Sequence, residues 1–203
     1  PVLIPLAGDG PQRWTSRELA TVERRLLTAL HDNQGTRLAL DGAWAEAAIE
    51  ANRNRPFFLY LAFNAPHTPL QATREDYDKL PQIKDHKTRV YGAMIAQLDR
   101  RIGDVMAKLK ALGIDDNTLV IFTSDNGGAW YTGIDRLNAP YRGWKATFFE
   151  GGIRTPFFMR WPGHIAPGST RADATGHIDL FSTIAAAAGA KIPTDRIVDS
   201  EDI

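Results

Sequence analysis

An apolar, β-branched run, Asn117-Thr118-Leu119-Val120-Ile121-Phe122, leads directly into Thr123-Ser124-Asp125-Asn126-Gly127-Gly128. A run of that length and make-up reads as a buried strand. An acid, an amide and two glycines therefore sit where the strand ends, which in open α/β sheets is where ligands bind. Asp125 and Asn126 offer two hard oxygen donors side by side, a pairing suited to Ca²⁺ or Mg²⁺. The glycines let the backbone turn sharply beneath them. Asp-Asn-Gly on its own reads equally well as a turn or a helix cap, so the surrounding chain decides its weight.

That chain alternates strands with helices. Thr15-Ser16-Arg17-Glu18 has capping-box spacing, and Leu19, Val22, Leu26, Leu27 and Leu30 follow at helical intervals to about His31. A second helix is predicted over 43–52, with Asp41 as its cap candidate. The continuous apolar run 56–63 predicts a central strand buried on both faces. A proline-containing loop follows over 64–81. The clearest helix spans about 86–112, where Tyr91, Met94, Ile95, Leu98, Ile102, Val105, Met106, Leu109 and Leu112 form one stripe and Gly113 is a ready cap. A further strand is predicted at 156–161 and a last helix at 178–188, ended by Gly189. Only residues 1–14, rich in Pro and Gly, read as an irregular arm. The expected architecture is a single α/β domain over 1–203, with a largely parallel sheet flanked by helices.

Composition narrows the function. Lys+Arg and Asp+Glu balance at 24 each, so charge gives no argument for nucleic acid or an anionic membrane as partner. With 0 cysteines, disulfides, zinc–thiolate sites and cysteine nucleophiles are excluded. No apolar run approaches a membrane span, and no signal peptide opens the chain.

Several motifs then fall in order. Pro56 to Leu61 leads to Ala65-Pro66-His67-Thr68-Pro69; Tyr91 to Gly113 and Asn117 to Gly127 follow. Next come Arg142-Gly143-Trp144-Lys145 and Glu150-Gly151-Gly152-Ile153-Arg154-Thr155-Pro156. Trp161-Pro162-Gly163 and His177-Ile178-Asp179-Leu180 close the series. Over roughly 43–199 the chain resembles the C-terminal part of the catalytic domain of the sulfatase family, within the alkaline-phosphatase-like superfamily. Residues 1–42 match that pattern poorly.

The resemblance implies a truncated alkaline-phosphatase/sulfatase-like fold. It also implies that Asp125 and Asn126 ligate Ca²⁺ or a similar divalent ion, with Zn²⁺, Mn²⁺ and Mg²⁺ as alternatives. His67 would contact the sulfate or the leaving-group oxygen, and Lys145 the sulfate oxygens. The segment Glu150 to Pro156 would shape the turn beside the site. Relatives of this family are often periplasmic, secreted or lysosomal. The family's Cys/Ser-x-Pro-Ser-Arg formylglycine motif, its paired N-terminal aspartates and its His-x-Lys segment do not occur in this sequence.

Residue chemistry agrees with these roles. Lys145 would neutralise non-bridging oxygens as a point charge. His67 is of a residue type that can act as general acid or as ligand. Trp144 and Tyr141, with Trp130 and Tyr131, could line a pocket for an aryl group or cover bare core. Arg154 reads as structural. His177 and Asp179 read first as capping and orienting residues at the last helix, with metal contact as the alternative. Taken together, the sequence predicts a metal-dependent hydrolase of sulfate or phosphate esters, acting on a small anionic or aryl ester without a formylglycine nucleophile. The competing reading is a non-catalytic remnant, or half of a split sulfatase, that binds a cation or an anion. A sheet lacking neighbours would expose edge and apolar surface, and this predicts a homo-oligomer, a dimer first.

Overall fold

The computed structural model describes residues 3–5 and 43–203. The chain divides into two compact units, one of residues 1–115 and 124–155, the other of 116–123 and 156–203. The helix predicted over 15–31 and the Asp41 cap lie outside the described residues.

The first unit is organised on one long helix. Strand β1 (Leu3–Pro5) pairs antiparallel with β2 (Phe57–Leu59), so part of the stretch expected as an irregular arm is a strand. Helix α1 (Ala43–Asn52) follows the predicted bounds, and α2 (Arg74–Asp78) interrupts the predicted loop. Helix α3 (His86–Ala111) is the scaffold. Asp85 caps it by accepting from the Thr88 amide at 2.8 Å and the Thr88 hydroxyl at 2.6 Å. It ends as predicted at Gly113, whose φ is +67°, with Ile114 N–H donating to Leu109 at 3.2 Å.

The buried apolar side chains are Ala45 and Ile49 of α1 against Ala93, Met94, Leu98 and Leu109 of α3. The predicted stripe is therefore right in part. Ile95 is 40% exposed, and the small Ala93, outside the predicted stripe, is fully buried. Lys108 of α3 ties to Glu50 of α1 at 2.6 Å.

Helix α2 is fastened to α3 by charge. Thr73 caps α2, its hydroxyl accepting from the Asp76 amide at 3.1 Å and donating to the Asp76 carboxylate at 2.8 Å. The same carboxylate, only 4% exposed, accepts from Arg100 of α3. Arg89 adds its guanidinium 4.0 Å over the Tyr77 ring and a bond from Nε to Tyr77 O at 2.8 Å.

In the second unit β3 (Val120–Thr123) pairs antiparallel with β4 (Phe157–Arg160), Phe122 opposite Phe158. A 3₁₀ turn (His177–Asp179) leads into α4 (Leu180–Ala187). The buried Ser182 and Thr183 hold the chain end: Ser182 N–H donates to Ser200 Oγ at 2.9 Å, and Ile203 N–H to Thr183 Oγ1 at 3.1 Å.

The α/β class stands, as a part of a larger fold. Both pairings among the described residues are antiparallel and two-stranded; the expected parallel ladders are not among them. The strand predicted over 56–63 is shorter than its apolar run and is half-buried, not buried on both faces. Among the described residues it has one neighbour, and Tyr60 beyond it is 66% exposed. Among the described residues no helix is long and apolar enough to cross a membrane.

Burial by itself raises the Asp76 pKa, but hydrogen bonds from Thr73 and Arg100 and the charges of Arg100 and Lys79 outweigh it, leaving the carboxyl below its ordinary value. A carboxyl lowered by folding stabilises fully above its unfolded value of about 4, and that contribution disappears as pH falls through the lower folded value. Asp76→Ala should cost about 2–3 kcal/mol in urea unfolding at neutral pH, because it leaves Arg100 and Thr73 without their acceptor. The gap between variant and parent should narrow as the pH is lowered through the depressed folded-state value of Asp76.

Candidate functional site

The turn after β3 is not a free loop. Gly127 N–H donates to Gly152 O at 2.9 Å, and Lys145 N–H donates to Gly128 O at 3.1 Å. Gly151 N–H donates to Arg142 O at 2.8 Å. Three stretches, 124–128, 138–145 and 149–152, are thus knitted through their backbones. The approach is so close that a methyl group on Gly127 would collide with the Gly151 carbonyl, and one on Gly151 would stand 2.7 Å from Arg142 O. Residues with a Cβ cannot close this knot.

Asn138 completes it. Its Oδ1 accepts from Gly128 N–H at 2.8 Å, and its Nδ2 donates to Gly128 O at 2.9 Å and to Gly143 O at 3.1 Å. Sequence reasoning passed over Asn138, because an asparagine before Ala-Pro looks like an ordinary loop residue. The glycines on either side of it in space carried the only signal.

The knot displays the candidate groups. Asp125 is exposed and Asn126 half-buried. Ser124 Oγ donates to Asn126 O at 3.0 Å, which fixes the backbone of the pair. Neither side chain of the pair has a protein partner among the described residues. Half-buried Lys145 lies in the turn Trp144–Thr147, closed by Thr147 N–H to Trp144 O at 3.0 Å. Ala146 in that turn has φ +71°, the left-handed region that costs a residue with a Cβ about 1–2 kcal/mol. Such a conformation beside a candidate ligand-binding residue is a feature of functional sites.

Arg154 takes a structural place. It bonds Glu150 at 2.8 Å and lies 4.8 Å from the Tyr141 ring centroid. That bond, with the Glu150 charge and Tyr141, raises its pKa. Tyr141, Trp144 and Phe148 are 36%, 47% and 96% exposed, so these aromatics stand open to solvent.

His67 makes its contacts within its own loop. Its amide donates to Asn64 O at 2.8 Å, and its Nδ1 lies 2.8 Å from Thr68 O. A carbonyl can only accept, so Nδ1 carries the hydrogen and Nε2 is the atom turned to chemistry. His177 belongs to the second unit, where its Nε2 is 3.2 Å from Thr123 Oγ1. Asp179 accepts from the Gly176 and Glu201 amides at 2.7 and 3.1 Å, and these bonds lower its pKa.

These elements are those of a mixed α/β enzyme fold carrying hard oxygen donors and a lysine on one backbone knot. The Sulfatase family model matches residues 17–190. Steryl-sulfatase of Rattus norvegicus is 38% identical over 166 residues, which cover 76% of this chain and 27% of that protein. N-acetylgalactosamine-6-sulfatase of Mus musculus is 39% identical over 153 residues, covering 74% and 28%. The crystal structure of Ps i-CgsB in complex with k-i-k-neocarrahexaose matches with a TM-score of 0.75 at 39% identity, over 79% of this chain and 36% of that one. The chain belongs to the sulfatase family. It spans 27% to 36% of the length of these relatives. The match begins at residue 17 and so takes in part of the stretch that carries no recognisable motif.

Asn138→Ala removes three hydrogen bonds at half-buried backbone groups and should destabilise by about 2–3 kcal/mol in urea unfolding. Ala146→Gly should do the opposite, holding or raising stability by up to about 1 kcal/mol, since glycine adopts that φ without penalty.

Proposed function

We propose that this chain carries the cation-holding and anion-holding part of a sulfate-ester hydrolase. The observation that carries the reading is the knot itself. Backbone hydrogen bonds from Gly127 to Gly152 and from Lys145 to Gly128 mount Asp125, Asn126 and Lys145 on one support.

The donor set fits a hard divalent cation. One carboxylate and one neutral amide oxygen stand adjacent, both without protein partners among the described residues. Among those residues no three His, Cys, Asp or Glu side chains gather into a metal-holding group. Asp125 and Asn126 would thus be part of a shell, with Ca²⁺ as the ion the family implies. When bound, the ion supplies Lewis-acid polarisation of a sulfuryl oxygen. Lys145 neutralises charge on the non-bridging oxygens. His67, protonated, gives the proton on Nε2 to the oxygen leaving sulfur, while Nδ1–H stays with Thr68. The nucleophile is not assigned to a residue of this sequence.

Sulfated carbohydrate is the favoured substrate class. Support comes from the neocarrahexaose held by Ps i-CgsB and from the N-acetylgalactosamine-6-sulfatases among the relatives. Phosphate monoesters and diesters present similar tetrahedral oxygens and form the comparison arms of the test. We also infer self-association into a dimer, supported by the exposed Phe148 and Trp144 and by strands with one described neighbour each. Sedimentation at micromolar concentration checks it, and a monomer there refutes it.

Metal-stripped protein should regain hydrolysis of an aryl or sugar sulfate when Ca²⁺, Mn²⁺ or Zn²⁺ is returned. Asp125→Ala should lose that response, and His67→Ala should lower the rate about 10²–10⁴-fold. Calorimetric Ca²⁺ binding that Asp125→Ala weakens, with no hydrolysis of any ester, would leave a binding module in place of an enzyme.

A further inference from the structure

Beside the His67 loop the first unit holds a cavity of about 320 Å³, at the small end of the usual ligand-pocket range of about 300–1,000 Å³. Thr68 of that loop forms one wall, and His86 and Lys87 at the start of α3 form another. Tyr131 and Thr132 close it, over an apolar floor of Leu70 and Val90. The volume suits one ring-sized unit.

The lining carries positive charge and no carboxylate. Lys87 makes no ion pair among the described residues. Asp85, its near neighbour in sequence, is engaged as the cap of α3 through Thr88. The ammonium is placed against the wall: a methyl group on Gly133 would stand 2.8 Å from Lys87 Nζ. His86 gives Nδ1 to the Tyr77 hydroxyl at 3.0 Å, which leaves Nε2 as its second polar atom. Tyr131, 46% exposed, offers a ring face. Thr132 is buried, and its hydroxyl is engaged within its own turn, donating to Ala129 O at 2.8 Å and accepting from Ile134 N–H at 3.4 Å, so the polar groups left to a ligand on this side are those of Tyr131 and Thr68.

A cation that makes no ion pair among the described residues, with only the charge of nearby Asp85 acting on it there, favours an anion. An aromatic face and hydroxyl groups select a polar ring over a bare inorganic ion. Thr68 supplies both a wall of the cavity and the carbonyl that holds His67 Nδ1. Whatever fills the cavity therefore lies one residue from the general acid. We propose that this cavity is a subsite for a second anionic sugar unit, bearing sulfate or carboxylate, next to the unit that is desulfated. The proposal rests on the sulfated-carbohydrate reading of the His67 and Lys145 site.

The test is a calorimetric titration of the 203-residue chain in metal-free buffer. The probes are a disaccharide with one sulfate and two counterparts bearing, on the neighbouring ring, a second sulfate or a uronate carboxylate. The protein should bind at least one doubly anionic probe about tenfold tighter at low salt, and the advantage should shrink as salt is raised. Whichever counterpart gains affinity identifies the group recognised. Lys87→Gln should abolish the advantage while leaving the singly sulfated probe unchanged, and Lys87→Arg should keep most of it. Equal affinity for all three probes, no binding of any of them, or an advantage that survives Lys87→Gln overturns the subsite. Lys145→Ala separates the two readings, since it should weaken every probe alike. If the Lys87-dependent advantage persists while Lys145→Ala changes no affinity, the subsite stands and the assignment of Lys145 fails.

Discussion

The first unit depends on one steric constraint: two backbone stretches that meet where a side chain would have to be. Gly127 lies against the Gly151 carbonyl with no space for a Cβ. That contact lets the Gly127 amide reach Gly152 at 2.9 Å. Without it, the turn after β3 would lose its tie to the 149–152 stretch and be held to the Lys145 loop only through Gly128. Asn138 then acts as a keystone of side-chain amide, satisfying Gly128 on both its N–H and its C=O. Each such bond contributes about 1 kcal/mol, but leaving the same half-buried groups unmet would cost more. The arrangement is therefore closed as a set.

The candidate groups are mounted in two different ways. Asp125, Asn126 and Lys145 ride on the knot, so their backbones are fixed with respect to one another. His67 rides on its own loop, held by Asn64 and Thr68. The division suits the proposed hydrolysis, in which an anion is held still and a proton is delivered from one side. Arg154, by contrast, is occupied with Glu150 and Tyr141 and buttresses the loop.

Much of this was legible in the residues. The α3 stripe and its Gly113 cap were plain, because a long helix repeats its signal many times and ends on a residue chosen for its φ. The motif order around Asp125, Lys145 and His67 pointed to the family that the comparisons establish. The strand at 56–63 misled, since an apolar run records what a strand meets in the complete sheet and not which neighbour is described here. Ile95 was placed inside because periodicity gives a face but not how wide its cover is. Asn138 was invisible for a different reason. Its role is set by the positions of three carbonyl and amide groups that adjoin only after folding.

Every hydrogen bond that closes the knot joins backbone to backbone or to the neutral amide of Asn138. No ionisable side chain is a member. Those bonds hold no group to titrate and no ion pair to screen, so a support built this way can keep its geometry in an acidic medium as in a neutral one. The site's response to its surroundings is chemical, confined to the groups on display, while the mounting stays indifferent.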